Sequence, residues 1–146
     1  EIVQLSLESF TNPEIQIVNV VYSSADQNAI NDPNNVKVVV DRSGDALYFS
    51  RAPIPRIWDP VYECPALIQT GVVAFRREAL SSYERLDASD LERVESIDMN
   101  RVLEHGGRIR TLLSDVPLLG VDTPDELALA EDRLENDQIF PLYADG

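Results

Sequence analysis

The chain is poor in cysteine and in basic residues, and it has no apolar run long enough to cross a membrane. The single cysteine, Cys64, excludes an intramolecular disulfide and favours a reducing compartment, the cytoplasm. Twelve basic against 26 acidic residues give a net charge of −14, which argues against a nucleic-acid partner because duplex phosphates would be repelled. One nucleotide stays possible, since a metal ion and a few side chains can neutralise its charge locally.

The length of 146 residues suits one ordinary hydrophobic core, so a single domain over 1–146 is expected. Stretches rich in β-branched residues predict strands, and stretches with helical spacing of apolar residues predict helices. The expected strands are 15–22, 36–41, 46–50, 67–75 and 108–113. The expected helices are 1–9, a short turn within 25–30, one starting at 76, a longer one over 91–105 and one from 124. The order predicts an α/β fold with a mixed sheet.

A β-hairpin over 36–50 organises the rest of the chain. Its two strands are joined by the turn residues Ser43, Gly44 and Asp45. The second strand leads into Arg51, which is followed by a proline-rich segment that must leave the sheet extended. An arginine at such an exit can hold a carboxylate or phosphate through two parallel hydrogen bonds, or it can form an ordinary surface salt bridge.

Two segments resemble a known enzyme family. The first, from residue 32, reads DPNNVKVVVDRSGDALYFSRAPIP, and the second, from residue 120, reads GVDTPDEL. Both are similar to signatures of the 3-deoxy-manno-octulosonate (KDO) cytidylyltransferases, or CMP-KDO synthetases. The segments between them, TGVVAFRREAL and LERVESIDMNRVLEHGGRIR, resemble an intervening strand and helix of that family.

The resemblance implies the C-terminal portion of a Rossmann-like three-layer nucleotidyltransferase sandwich. It implies transfer of CMP from CTP to a 2-keto-3-deoxy sugar acid, with release of pyrophosphate, to supply activated sugar for surface lipopolysaccharide. Nothing in the sequence matches the family's phosphate-binding loop or its first metal-binding aspartate. The segment by itself is therefore expected to be inactive.

Asp122 is the first candidate for catalysis. It follows a predicted strand and precedes a helix, where α/β folds place ligands. The resemblance implies that this aspartate binds Mg²⁺, which orients CTP and the sugar acid. The alternative is that Asp122 only precedes Thr123, a predicted helix cap.

Five further positions are expected to bind substrate. The resemblance implies that Arg51 holds the sugar acid. The family's histidine, tyrosine and Glu-Gln pair fall here at Gln69, Phe75, Asp98 and Met99. Three polar contacts are altered, so a sialic-acid-like nine-carbon acid is an alternative substrate to KDO.

Two other functions stay open. One is a catalytically inactive relative kept as a binding or assembly module. The resemblance also implies a homodimer, in which the proline-rich arm over 53–65, carrying Trp58, would be an interface. The second alternative is an α/β fragment without a function of its own, and composition alone supports no more than this.

Overall fold

The computed structural model describes residues 2–59, 61–115, 121 and 124–135. The chain divides into two compact units, Glu1–Val116 and Pro117–Gly146, while the single domain over 1–146 stays a prediction. In the first unit the elements are α1 (Ile2–Ser9), β1 (Ile17–Ser24), α2 (Gln27–Asn31), β2 (Lys37–Val40), β3 (Ala46–Ser50), β4 (Ala66–Phe75), α3 (Arg77–Tyr83), α4 (Asp90–Glu95), α5 (Met99–Glu104) and β5 (Arg110–Leu113). In the second, the helix α6 spans Pro124–Glu135. None of the helices described is long and apolar enough to span a membrane.

The first unit is built on a five-stranded sheet with the order β3-β2-β4-β1-β5. β1 runs parallel to β5 and antiparallel to β4, and β2 is antiparallel to both β3 and β4. The sheet is therefore mixed, as predicted. β4 is the longest strand, yet β2 pairs with it only near its start, at Leu67 and Ile68.

Helices cover both faces of the sheet and give the predicted three layers. On one face α5 packs Met99 and Val102 against Val21 and Phe49 of the sheet. On the other face lie Ile15, Val18 and Val20, which are covered by Ile2 of α1 and by Phe10, the residue after that helix. The side chains of β1 alternate between these two cores, which explains why this strand is apolar along most of its length.

The prediction of one helix over 91–105 is wrong. Two short helices, α4 and α5, replace it, with a break at Ser96, whose φ is +54°. The left-handed conformation at Ser96 ends the first helix, because no residue continues an α-helix from positive φ. The apolar spacing misled the prediction, since Val94 is 81% exposed whereas Ile97, at the break, is buried in the core.

The turn of the hairpin docks on the start of β5. Asp45 is buried, and its carboxylate accepts hydrogen bonds from Arg108 and from Arg110, whose Nε lies 2.7 Å away. Burial opposes ionisation of this carboxyl, but the hydrogen bonds from the two arginines outweigh it, so the pKa of Asp45 is lowered. A main-chain bond from Ala46 to the carbonyl of Ile109, 2.8 Å long, fixes the same contact.

We expect Asp45→Asn to lower the free energy of unfolding by about 2 kcal/mol at pH 7, because hydrogen bonds to a charged group are lost. A carboxyl whose folded pKa is depressed adds stability above its unfolded pKa of about 4, and this stability is lost as the pH falls further. The deficit of the variant should therefore shrink below about pH 4 in urea titrations. Asp87→Asn, at an exposed position, is the control. A deficit that is constant from pH 7 to pH 3 would contradict the assignment.

Candidate substrate site at the hairpin exit

Arg51 lies at the exit of β3 and joins three segments of the chain. Its Nε donates to the carbonyl of Glu95 at 2.8 Å, Nη1 to the carbonyl of Pro33 at 2.8 Å, and Nη2 to the carbonyl of Ser96 at 3.2 Å. The prolines at 53 and 55 then carry the chain away from the sheet, as predicted. These bonds use three of the five N–H groups of a guanidinium and leave two for a ligand.

Lys37 is bound at the same place, where the chain leaves β3. Its side chain is fully buried, and Nζ donates to the carbonyls of Asp32, Asn35 and Arg51 at 2.9, 2.6 and 2.6 Å. Burial lowers the pKa of Lys37. It is the only lysine of the chain. Lys37 was not among the expected site residues, although a lysine before a run of three valines is a signal for a buried, hydrogen-bonded ammonium.

Glu95, at the end of α4, accepts hydrogen bonds from polar groups of β3 and from Arg51. One carboxylate oxygen accepts from the hydroxyls of Tyr48 at 2.9 Å and Ser50 at 2.8 Å, and the other accepts from the main-chain N–H of Arg51 at 2.9 Å. Burial opposes ionisation, but these hydrogen bonds and the charge of Arg51 outweigh it, so the pKa of Glu95 is lowered. Nothing in the local sequence identifies this role, because the partners lie more than 40 residues away.

The two cations of this cluster are held by carbonyl oxygens. Among the described residues, neither the guanidinium of Arg51 nor the ammonium of Lys37 has a carboxylate oxygen within 4.0 Å. Carbonyl oxygens orient a cation without neutralising its charge. Lys37 is fully buried, so the two N–H groups that Arg51 has left are where an anion can be held.

Asp98 and Phe75 meet through Tyr83. The Tyr83 hydroxyl donates to Asp98 at 3.5 Å, and its ring centroid lies 5.6 Å from that of Phe75. Burial, followed by the charge of Asp98, raises the pKa of Tyr83. Asp98 lines a cleft of about 360 Å³ together with Ser96, whose carbonyl binds Arg51. The structure thus links Asp98 to Arg51 through Ser96 and to Phe75 through Tyr83.

Met99 and Gln69 occupy different surroundings. Met99 is only 2% exposed and belongs to the hydrophobic core under α5, so it does not line the cleft beside Asp98. Gln69 is half-buried in β4, and its main-chain N–H donates to the carbonyl of Val36 at 2.8 Å. Their roles in substrate binding stay predictions.

Asn19 of β1 is a polar residue that the sequence analysis missed. The pairing of β1 with β4 shifts register between Asn19 and Val21, opposite Gly71, whose φ is +83°. Asn19 is fully buried, and in the part of the chain that the structure describes neither atom of its carboxamide has a hydrogen-bond partner. An asparagine within a run of β-branched residues was the available signal. Such bulges are common next to active sites.

The predicted metal-binding aspartate, Asp122, lies outside the described residues, as does its possible helix cap Thr123. Over the described part of the chain, no group of three or more His, Cys, Asp or Glu side chains is placed to hold a metal ion. These residues alone therefore do not form the predicted Mg²⁺ site.

Comparison with known families matches residues 1–109 to the family model described as cytidylyltransferase. The chain belongs to the cytidylyltransferase family. This confirms the predicted resemblance. The matched residues include the hairpin, Arg51, Glu95 and Asp98.

Curated cytidylyltransferases give the same result. The chain is 42% identical over 123 residues to the 3-deoxy-manno-octulosonate cytidylyltransferase of Chlamydia abortus, covering 84% of this chain and 48% of that protein. It is 45% identical over 102 residues to the enzyme of the same name from Solibacter usitatus, covering 70% and 40%. The chain spans about half the length of the curated relatives it matches.

A solved cytidylyltransferase structure shares the fold. It is that of a CMP:2-keto-3-deoxy-manno-octonic acid synthetase complexed with CTP, with a TM-score of 0.81 and 31% identity. The similarity covers 91% of this chain and 54% of that one. The predicted fold class, part of a three-layer nucleotidyltransferase sandwich, is confirmed.

Proposed function

We propose that the protein transfers CMP from CTP to a 2-keto-3-deoxy sugar acid, KDO or a close relative, and releases pyrophosphate. The observation that carries the proposal is the similarity over 91% of the chain to a CMP:2-keto-3-deoxy-manno-octonic acid synthetase complexed with CTP. The reaction needs a held carboxylate and a positioned hydroxyl more than it needs a group of unusual acidity. The product would supply activated sugar for lipopolysaccharide, in the cytoplasm.

Arg51 is the group we assign to the sugar-acid carboxylate. Its three carbonyl bonds fix the plane of the guanidinium, and two N–H groups are left to donate. A planar guanidinium with two parallel donors matches a carboxylate in geometry as well as in charge. Preorganisation by carbonyls means that the side chain loses little freedom when the acid binds.

The identity of the acid depends on the remaining pocket. Gln69, Phe75, Asp98 and Met99 are the positions that we assign to the sugar. Asp98 and the Tyr83 hydroxyl next to it can bond sugar hydroxyls, whereas buried Met99 cannot. A sialic-acid-like nine-carbon acid is therefore the second substrate in this proposal.

Mg²⁺ would supply charge neutralisation at the CTP phosphates. We assign Asp122 as one of its ligands, on the sequence signature that contains it. The resemblance implies a second ligand, the family's first metal-binding aspartate, which nothing in this sequence matches.

A pyrophosphate-release assay on the full-length protein, with CTP, Mg²⁺ and a panel of keto-sugar acids, tests the proposal. Release with KDO establishes the named reaction and shows that the substitutions at Gln69, Phe75 and Met99 are tolerated. Release with a nine-carbon acid alone makes those positions the source of a changed specificity. Absence of release together with absence of CTP binding would contradict the enzymatic proposal and favour an inactive assembly module.

A homodimer is part of the proposal, and the arm after the hairpin is its expected interface. This arm carries four exposed apolar side chains, Ile57, Trp58, Val61 and Tyr62. Trp58 is 88% exposed, which is unusual for the largest apolar side chain in a protein. Aromatic residues of this kind dominate the energetics of protein interfaces.

We expect Trp58→Glu to weaken self-association at least tenfold in sedimentation-velocity experiments, because a charge would replace an aromatic anchor. Leu47→Glu is the matched control, since Leu47 is an exposed apolar residue of β3. Equal effects of both substitutions, or a monomeric parent protein, would remove the arm as the interface.

A further inference from the structure

We propose that Glu95 is a positioning residue, which locks Arg51 to the corner between α4 and α5 and thereby sets the anion-binding end of the substrate pocket. The inference rests on the proposed function, because it takes Arg51 as the group that holds the sugar-acid carboxylate. The carboxylate of Glu95 was not among the site residues expected from the sequence.

The lock consists of two hydrogen bonds between the same two residues. The main-chain N–H of Arg51 donates to a carboxylate oxygen of Glu95 at 2.9 Å, and the Nε of Arg51 donates to the carbonyl of Glu95 at 2.8 Å. Main chain and side chain of each residue therefore both take part. Because the two residues are 44 positions apart, the pair ties the exit of the hairpin directly to the end of α4.

The carboxylate of Glu95 is itself held in place. Its second role, accepting from the hydroxyls of Tyr48 and Ser50, fixes it to two residues of β3. A carboxylate committed to three neutral donors cannot turn to form a two-bonded ion pair with the guanidinium. The two unused N–H groups of Arg51 therefore stay available, whereas a freely rotating glutamate would compete with the substrate for them.

The same lock relates Arg51 to Asp98. The Nη2 of Arg51 donates to the carbonyl of Ser96 at 3.2 Å, and Ser96 has a left-handed backbone. Asp98 follows two residues later and accepts a hydrogen bond from Tyr83. Glu95 and the α4–α5 corner thus set the position of Arg51, the proposed carboxylate-binding group, relative to Asp98, the proposed hydroxyl-binding group.

Steady-state kinetics on the full-length protein test the role. In Glu95→Gln the side chain keeps its size but loses its charge and one of its two acceptor oxygens, which weakens its hold on the N–H of Arg51 and on the hydroxyls of Tyr48 and Ser50. We expect the KM for the sugar acid to rise about tenfold, a change of about 1.4 kcal/mol in binding. The kcat and the KM for CTP should stay within twofold. Glu78→Gln, an exposed position on α3, is the matched control.

A second readout separates positioning from stability. The wild-type protein should prefer the sugar acid to its neutral carboxamide, and Glu95→Gln should reduce that preference at least threefold if Arg51 is displaced. A variant that only loses folded protein would show a lower kcat with both the KM and the preference unchanged, which would overturn the proposal.

If the wild-type protein releases no pyrophosphate, the proposed function fails, but the role of Glu95 in positioning Arg51 can still be tested. The lock is then tested by the exchange rate of the Arg51 Nε–H, measured by NMR on this chain. Exchange at least tenfold faster in Glu95→Gln than in Glu78→Gln supports the lock. Equal rates in the two variants overturn it.

Discussion

Replacing Lys37 by methionine should lower the free energy of unfolding by about 4 kcal/mol, because three main-chain carbonyls lose hydrogen bonds from a charged donor. Methionine fills a similar volume but donates no hydrogen bond, so the carbonyls of Asp32, Asn35 and Arg51 lose a common partner. The penalty of burying the ammonium is relieved at the same time, which keeps the loss near 4 kcal/mol rather than above it. Urea titration monitored by circular dichroism at pH 7 measures the change.

Arg42→Met is the matched control for this experiment. It removes a cation from the same hairpin, but at an exposed position. Its effect should stay within about 0.5 kcal/mol, as is usual for surface substitutions. Similar losses in both variants would mean that net charge, rather than the three bonds of Lys37, is responsible.

Asn100→Asp should lower the free energy of unfolding by about 3 kcal/mol at pH 8. The side chain of Asn100 is fully buried and bonds both ways with the main chain of Phe49. It donates to the carbonyl at 3.1 Å and accepts from the N–H at 3.3 Å. An ionised carboxylate cannot donate, and it places an unpaired charge in the core.

The pH dependence makes this prediction specific. Burial would raise the folded pKa of the introduced carboxyl above its unfolded value of about 4, so the folded state would bind more protons between the two values. Stability then falls as the pH rises through that window, and the deficit should shrink to about 1 kcal/mol near pH 5. Asn31→Asp, an exposed position at the end of α2, should show no such trend. A deficit equal at pH 5 and pH 8 would show that burial does not raise the folded pKa of the introduced carboxyl into this window, which would contradict the prediction.

The strands could be predicted from the sequence because their signals are local. β-branched residues in 17–24 define β1, and those in 37–40 with the turn of Ser43, Gly44 and Asp45 define the hairpin, without reference to other segments. The break at Ser96 could not be predicted in this way. It depends on Arg51, whose guanidinium binds the carbonyls on both sides of the break from a distant part of the chain.

Residues of the candidate site could be predicted only where a sequence motif of the family contains them. Arg51 and Asp98 carry such signatures, and the structure connects them through Ser96. Lys37 and Glu95 were missed because their partners are mostly main-chain carbonyls and N–H groups, which have no sequence signature. The positions of these groups are set by the tertiary fold, so only the structure reveals them.

Because Lys37 is buried, the rate at which its amine is chemically modified would report how often the hairpin exit opens. Amine-acylating reagents need an exposed, neutral amine, and the only lysine side chain of this sequence is covered by the segments that carry Asp32, Asn35 and Arg51. Acylation at Lys37 would therefore proceed only through molecules in which the hairpin exit has separated from its neighbours. A ligand that binds Arg51 would slow that modification in proportion to its occupancy, so substrates could be ranked by mass spectrometry without any turnover.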